Sequence, residues 1–118
     1  LSIIKISQIV LKNNKPEIIL NLSSDAGSIS LNKSGDAYIY RTSKSALNSI
    51  TKNMSVDLKK KYGTTVFAID PGNVQSGMNS KGYMESDKCA YMILDIISNN
   101  VEEFNGKFIN LSKNELSW

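Results

Sequence analysis

Thr64-Thr65-Val66-Phe67-Ala68-Ile69 runs apolar and β-branched without a break, then stops at Asp70-Pro71-Gly72. A short continuous run of this kind, closed by a turn signature, reads as a strand buried on both faces of a parallel sheet. Immediately upstream, a long helix is predicted from Tyr38 to Tyr62, where Leu47, Ile50, Met54 and Leu58 recur at steps of three and four as one buried stripe. Lys59-Lys60-Lys61 fall in its last turn, where cations offset the negative end of the helix dipole, and Gly63 stops it. Residues 23–36 are rich in Ser, Gly, Asn and Asp and read as loop. Before them, Pro16 opens Glu17-Ile18-Ile19-Leu20-Asn21-Leu22, a second run suited to a strand buried on both faces. Residues 1–13 place Ile3, Ile4, Ile6, Ile9 and Val10 at mixed steps and read as a helix or its C-terminal part, ending at Asn13-Asn14. Downstream, residues 73–84 look irregular, and a helix from Glu85 or Ser86 carries Cys89, Ile93, Ile96 and Ile97 on one side to Asn99-Asn100. Gly106-Lys107-Phe108-Ile109-Asn110-Leu111 reads as a last short strand.

The order is helix, strand, helix, strand, helix, strand, an α/β pattern of parallel strands joined by crossovers. Neither a linker nor a repeat divides residues 1–118, so the expectation is one compact unit. Three strands make a thin sheet, and the chain begins at Leu1 rather than Met, so the rest of the sheet is expected in sequence outside these residues. A content of 41% hydrophobic and 21% charged residues argues against long disorder. One cysteine excludes an internal disulfide and suits a reducing compartment, and with no histidine beside it a structural zinc site is not expected. The net charge of +3 comes from dispersed lysines with Arg41 the lone arginine. The lysine run at 59–61 lacks arginine forks and interleaved aromatics, so it reads as a solvated helix end rather than a nucleic-acid or membrane patch. No apolar stretch approaches the ~20 residues of a membrane span, and the first fifteen residues, with a central lysine, do not read as a signal peptide. The expectation is a cytoplasmic, soluble protein.

Three clusters carry chemistry. Tyr40 and Lys44 are four residues apart near the start of the long helix, which puts both on one face. A phenol with a pKa of about 10 is a poor acid or base at neutral pH, and a neighbouring ammonium favours the phenolate. The plain alternative is an exposed Tyr/Lys pair. Ser23 and Ser24 stand where the first strand emerges, followed by Asp25-Ala26-Gly27-Ser28, and ligand chemistry in parallel sheets collects beyond strand carboxyl ends. The two serines should point in opposite directions, so one of them faces the site; a polar turn explains them otherwise. Asp70-Pro71-Gly72-Asn73-Val74-Gln75-Ser76 leaves the next strand, either as a wall for a planar ligand or as a plain strand-exit turn.

Taken together, Asn21-Leu22-Ser23-Ser24, Tyr40-Arg41-Thr42-Ser43-Lys44-Ser45-Ala46-Leu47-Asn48 and the 70–76 stretch resemble the C-terminal half of a short-chain dehydrogenase/reductase. The Ser-Ser-x-x-Gly-Ser-Ile run, the Tyr-Arg-x-Ser-Lys helix start and the ending from Asn105-Gly106-Lys107-Phe108 to Glu115-Leu116-Ser117-Trp118 are similar to the C-factor and sniffer-type carbonyl reductase branch. The resemblance covers nearly the whole chain. It implies the C-terminal half of a Rossmann-like, three-layer, doubly wound parallel sheet. The glycine-rich dinucleotide fingerprint, the Asn-Asn-Ala-Gly strand and the asparagine of the catalytic tetrad would then lie before Leu1, making the chain a fragment.

The resemblance also implies roles. Tyr40 would give a proton to a carbonyl oxygen in reduction and take one in oxidation. Lys44 would assist Tyr40 and hydrogen-bond the nicotinamide ribose of NAD or NADP. Ser24 would hold the substrate oxygen, its longer sequence separation from Tyr40 matching this branch. Pro71, Gly72, Val74 and Ser76 would line the nicotinamide pocket, Ser76 standing where relatives often carry threonine. Asp70 and Asn73 depart from the residues usual at those places, a difference bearing on substrate fit. The substrate would be a small carbonyl compound or alcohol, unnamed by the sequence, and the choice between NAD and NADP lies in the absent half. Ser43, Ser45, Ala46 and Ser49 would allow two copies to pack through the 38–62 helix and equally suit a monomer. Two other readings stay open: a non-catalytic nucleotide-binding signalling relative, and an inactive truncated product.

Overall fold

A computed structural model describes residues 16–73 and 85–118; the helix expected over 1–13 and most of the irregular 73–84 stretch lie outside them. The described elements are β1 (Ile18–Leu22), α1 (Tyr38–Tyr62), β2 (Thr65–Asp70), α2 (Ser86–Ser98) and β3 (Phe108–Asn110). Short 3-10 turns stand at Asp25–Gly27, inside the segment expected to be loop, and at Val101–Phe104. The strands form one parallel sheet in the order β1-β2-β3, with Ile18 opposite Thr65 and Ala68 opposite Phe108.

The central strand behaves as its composition dictates, since Val66, Phe67, Ala68 and Ile69 are fully buried. Successive residues point to opposite faces. Val66 packs with Leu58, Ile19 and Met54 under α1, whereas Phe67 and Ile69 pack with Cys89 and Ile96 of α2 and with Phe104, Ile109 and Leu111. Helices therefore cover both faces, giving three layers. Burial pushes the Cys89 thiol above its ordinary range. β1 departs from expectation. It starts at Ile18 and is half-buried, with Leu22 exposed, because it has a neighbour along only one edge among the described residues.

The bounds of α1 fall where the sequence puts them. Gly63 adopts φ +71, which a side chain disfavours, and the turn closes through Gly63 N–H to Lys59 O at 3.0 Å and Thr64 N–H to Leu58 O at 3.4 Å. The expected buried stripe is displaced. Asn48, Thr51, Ser55 and Leu58 are buried, while Leu47, Ile50 and Met54 are half-buried. Small polar side chains let the helix approach the sheet closely, provided that they find partners. Thr51 Oγ1 accepts from Asn21 Nδ2 at 2.9 Å and donates to Leu47 O at 2.8 Å, and Ser55 Oγ donates to Lys52 O at 2.7 Å. Of the small residues expected on an outer face, Ser43, Ala46 and Ser49 are exposed, but Ser45 turns inward to donate to Gly27 O at 2.9 Å.

β3 is shorter than expected because the chain turns back on it. Asn110 Oδ1 accepts from the N–H groups of Ser112 and Asn114, both at 3.0 Å, and Leu116 N–H returns to Phe108 O at 2.7 Å. Trp118 then stacks on Phe108 with ring centroids 5.6 Å apart, and its carbonyl accepts from Ser28 Oγ and Ser30 N–H, both at 3.2 Å. The tail thus braces the loop that follows β1. Among the described residues, no helix is long and apolar enough to cross a membrane.

Candidate active site

The carboxyl ends of β1 and β2 lie side by side, and the chain leaves each through a polar turn. Ser23 N–H donates to Ile69 O at 2.8 Å, carrying the sheet one residue past Leu22. Its side chain is buried and donates to Asn48 Oδ1 at 2.6 Å. Ser24 is extended (φ −158, ψ 152), so its side chain points the other way, as strand alternation requires. The Ser24 hydroxyl accepts from Ala26 N–H at 3.1 Å and donates to Asp25 Oδ1 at 3.3 Å, capping the 3-10 turn. Those bonds stay within its own turn.

The other half of the site is the first two turns of α1. Its N-cap, Ala37, stands at φ +50 and offers no side-chain cap. Arg41, which can only donate, does not cap the first N–H groups of the helix but ties down the segment that leads into it. Its Nε donates to Asp36 O at 2.9 Å, and its Nη2 donates to Ser34 Oγ at 2.7 Å and Asp36 Oδ1 at 3.1 Å. The Ser34 hydroxyl and then the Arg41 guanidinium hold the exposed Asp36 carboxyl below its usual range. This clamp fixes the turn that carries Tyr40, whose side chain is about half exposed. Lys44 Nζ lies 5.9 Å from the Tyr40 ring centroid and donates to Leu22 O at 3.1 Å. The structure therefore brings Tyr40 and Lys44 together and ties Lys44 to the end of β1, two residues before Ser24.

At the β2 exit, Asp70 Oδ1 accepts from Gly72 N–H at 2.9 Å, and Gly72 has φ +73. Burial pushes the Asp70 carboxyl above its usual range; the Gly72 N–H opposes that shift, and the nearby Asp25 charge adds to it. Pro71 is half-buried and Gly72 exposed, while Val74 and Ser76 lie outside the described residues. Among the described residues no three His, Cys, Asp or Glu side chains cluster as metal ligands.

The sequence names Asn48 only as the end of the 40–48 stretch and assigns it no role. It follows Tyr40 and Lys44 at the same four-residue step, a signal masked by the expectation of an apolar stripe. Chemically, an ammonium has three N–H donors, so among the described residues Lys44 keeps two after serving Leu22 O, and Tyr40 beside it is about half exposed.

Residues 1–86 match the family model described as short chain dehydrogenase. The chain is similar to the C-signal protein of Myxococcus xanthus, 32% identical over 101 residues that make up 85% of this chain and 60% of that protein. It is also similar to the carbonyl reductase Sniffer of D. melanogaster, at a TM-score of 0.78 and 38% identity over 86% of this chain and 41% of that one. A third likeness is to the NADPH-bound carbonyl reductase from chicken fatty liver, at a TM-score of 0.70 and 34% identity over 86% of this chain and 42% of that one. The chain spans about half the length of the relatives it matches.

Proposed function

The chain belongs to the short-chain dehydrogenase family, and on that premise we propose that the complete protein is a nicotinamide-dinucleotide-dependent oxidoreductase. It reduces a small carbonyl compound or oxidises the corresponding alcohol. The observation that carries the reading is the position of Lys44, with Nζ 3.1 Å from Leu22 O and 5.9 Å from the Tyr40 ring centroid. That position is at the carboxyl end of parallel strands, where ligands collect in such sheets.

The residues present fit a dinucleotide. Two free N–H donors on Lys44 suit sugar hydroxyls, and the exposed Gly72, with no side chain, leaves room for a planar ring beside β2. NAD and NADP fit this half alike; the chicken relative carries NADPH. When bound, the dinucleotide supplies or accepts the hydride. Tyr40 delivers its phenolic proton to the carbonyl oxygen in reduction and removes a proton from the alcohol in oxidation. The Lys44 ammonium stabilises the negative charge left on the phenol oxygen. Ser24 turns its hydroxyl from Asp25 to the same substrate oxygen and orients it. Pro71 and Gly72 wall the nicotinamide side.

In this reading residues 1–118 are the C-terminal catalytic half of one Rossmann-type unit, and the preceding half supplies the phosphate-binding loop. Support comes from the edge of β1 that has no neighbour among the described residues and from the 41% coverage of the Drosophila reductase. A cytoplasmic setting belongs to the same reading, since the single thiol, Cys89, is buried and free.

The test is Tyr40→Phe in a polypeptide that holds both halves. Turnover should fall about 10²–10⁴-fold, the usual worth of a positioned proton donor, with dinucleotide binding retained. The isolated chain should consume no NADPH in the same assay. Near-normal turnover by the variant would remove Tyr40 from the mechanism, and steady consumption by the isolated chain would overturn the two-half reading. Similarity to the C-signal protein favours a second reading, a signalling relative that binds dinucleotide without chemistry. Absence of turnover from the unsubstituted complete protein, with dinucleotide binding retained, would decide for it.

A further inference from the structure

We propose that Asn48 is a positioning residue: by holding Ser23, it fixes where Ser24 stands relative to Tyr40 and Lys44. The inference rests on the oxidoreductase reading and goes beyond it.

Asn48 is 3% exposed, and its Oδ1 accepts from Ser23 Oγ at 2.6 Å across twenty-five positions of sequence. Its Nδ2 is buried and has no hydrogen-bond partner among the described residues. An unpartnered buried donor is destabilising, and apolar side chains at 23 and 48 together would fill the space with no polar group left over. The Ser23–Asn48 pair is therefore not the arrangement that stability alone would choose. What it supplies and an apolar side chain cannot is a directional bond, and the place of that bond is informative. Tyr40, Lys44 and Asn48 follow one another at four-residue steps along one face of α1. Ser23 immediately precedes Ser24 in extended backbone, so a Ser23 side chain locked inward commits Ser24 to the opposite side. A second point of attachment lies just past Ser24. Gly27 packs against α1 so closely that an added Cβ would sit 2.9 Å from Asn48 Nδ2, and Ser45 Oγ holds Gly27 O at 2.9 Å. Ser24 is thus suspended between two fixings, and Asn48 takes part in both.

The experiment is a double-mutant cycle between Asn48→Ala and Ser24→Ala in the complete, active protein. Displacing a reacting group by about 1 Å can cost about 10²-fold, so Asn48→Ala should lower kcat about 10- to 100-fold with the KM for dinucleotide little changed. In the Ser24→Ala background the same substitution should cost nothing further, because it acts through that hydroxyl. Amide hydrogen exchange gives a readout independent of turnover: Gly27 and Ser28 N–H, bonded to Ser24 O and Asp25 O, should exchange faster while α1 stays protected. If Asn48→Ala does not fold, Ser23→Ala breaks the same bond from the loop side and should show the same non-additivity. Multiplicative losses, an unchanged kcat, or loosening spread along α1 would each overturn the proposal. An active Tyr40→Phe enzyme would instead sink the oxidoreductase mechanism, leaving the exchange result to judge the Ser23–Asn48 fixing by itself.

Discussion

Gly27→Ala is the smallest change that should part the two halves of the site. Gly27 is buried and lacks the positive φ of Gly35, Gly63, Gly72 and Gly106, so alanine meets no backbone penalty there. The cost is steric alone. The new Cβ would stand 2.9 Å from the Lys44 carbonyl carbon, 2.9 Å from Asn48 Nδ2 and 3.0 Å from Lys44 Cβ. Two of those atoms belong to the helix framework and cannot swing aside, so the 3-10 turn must lift from α1. Overpacking of this kind costs about 1–3 kcal/mol. Lifting also stretches Ser45 Oγ to Gly27 O at 2.9 Å and Ser23 Oγ to Asn48 Oδ1 at 2.6 Å, bonds worth about 1 kcal/mol each if lost. Against this, alanine restricts the unfolded chain and returns about 0.4–1 kcal/mol. The net expectation is a loss of about 3 kcal/mol, on the order of 10²-fold in the folded-to-unfolded ratio. Urea titration of the wild type and variant measures it, and turnover should fall alongside. A variant within about 0.5 kcal/mol of wild type, the range of an ordinary surface change, would show that the turn is not pressed on the helix as argued.

Two carboxylates should respond to pH in opposite senses. Burial raises the folded Asp70 carboxyl above its unfolded value, so the protonated form is favoured in the fold and stability falls as pH rises through the raised value. Asp70→Asn should therefore be more stable than wild type at neutral pH, the gap closing below the ordinary carboxylate range near pH ~4, as read by denaturant titration at both pH values. Asp36 is the reverse: Ser34 and Arg41 lower its folded value, so its contribution exists above the unfolded value and disappears as pH falls through the folded one. Asp36→Asn should be less stable at neutral pH, with a gap that shrinks in acid and in high salt because the pair is exposed; a gap indifferent to salt would discount the Arg41 clamp.

The features readable from sequence were those that local chemistry settles alone. Gly63 after three lysines ends α1 in any context, and Val66 to Ile69 are too uniformly apolar to be anything but a central strand. β1 looked the same in sequence, yet burial depends on what pairs with it, and a strand's own residues do not record how many neighbours it has. The apolar stripe on α1 was misplaced by one step for a related reason. Periodicity identifies which face is apolar, but a helix lying close to a sheet puts small polar residues at the nearest approach and leaves larger ones on the flanks. Thr51 and Ser55 look like surface residues until Asn21 and the Lys52 carbonyl are seen beside them. In the site, Tyr40 and Lys44 were legible because helical geometry fixes a four-residue spacing. Asn48 lies on the same face, but its role is visible only with its partner, twenty-five residues away, in view.

That displacement has a functional logic. Apolar packing is non-directional, so a helix held only by a greasy stripe could slide or turn by an ångström at little cost. Hydrogen bonds restrict both, because each demands a distance and an angle. Along α1 the polar contacts all fall on the end of β1 and its exit: Thr51 meets Asn21, Asn48 meets Ser23, and Lys44 meets Leu22 O. The row ends at Tyr40, one turn before Lys44, at the solvent-facing end where the proposed chemistry takes place. A hydride and a proton must reach adjacent atoms of one substrate, which tolerates little slack between the strand-borne serine and the helix-borne tyrosine. A polar seam between helix and strand, made at some expense in stability at Asn48, is how this sequence limits that slack.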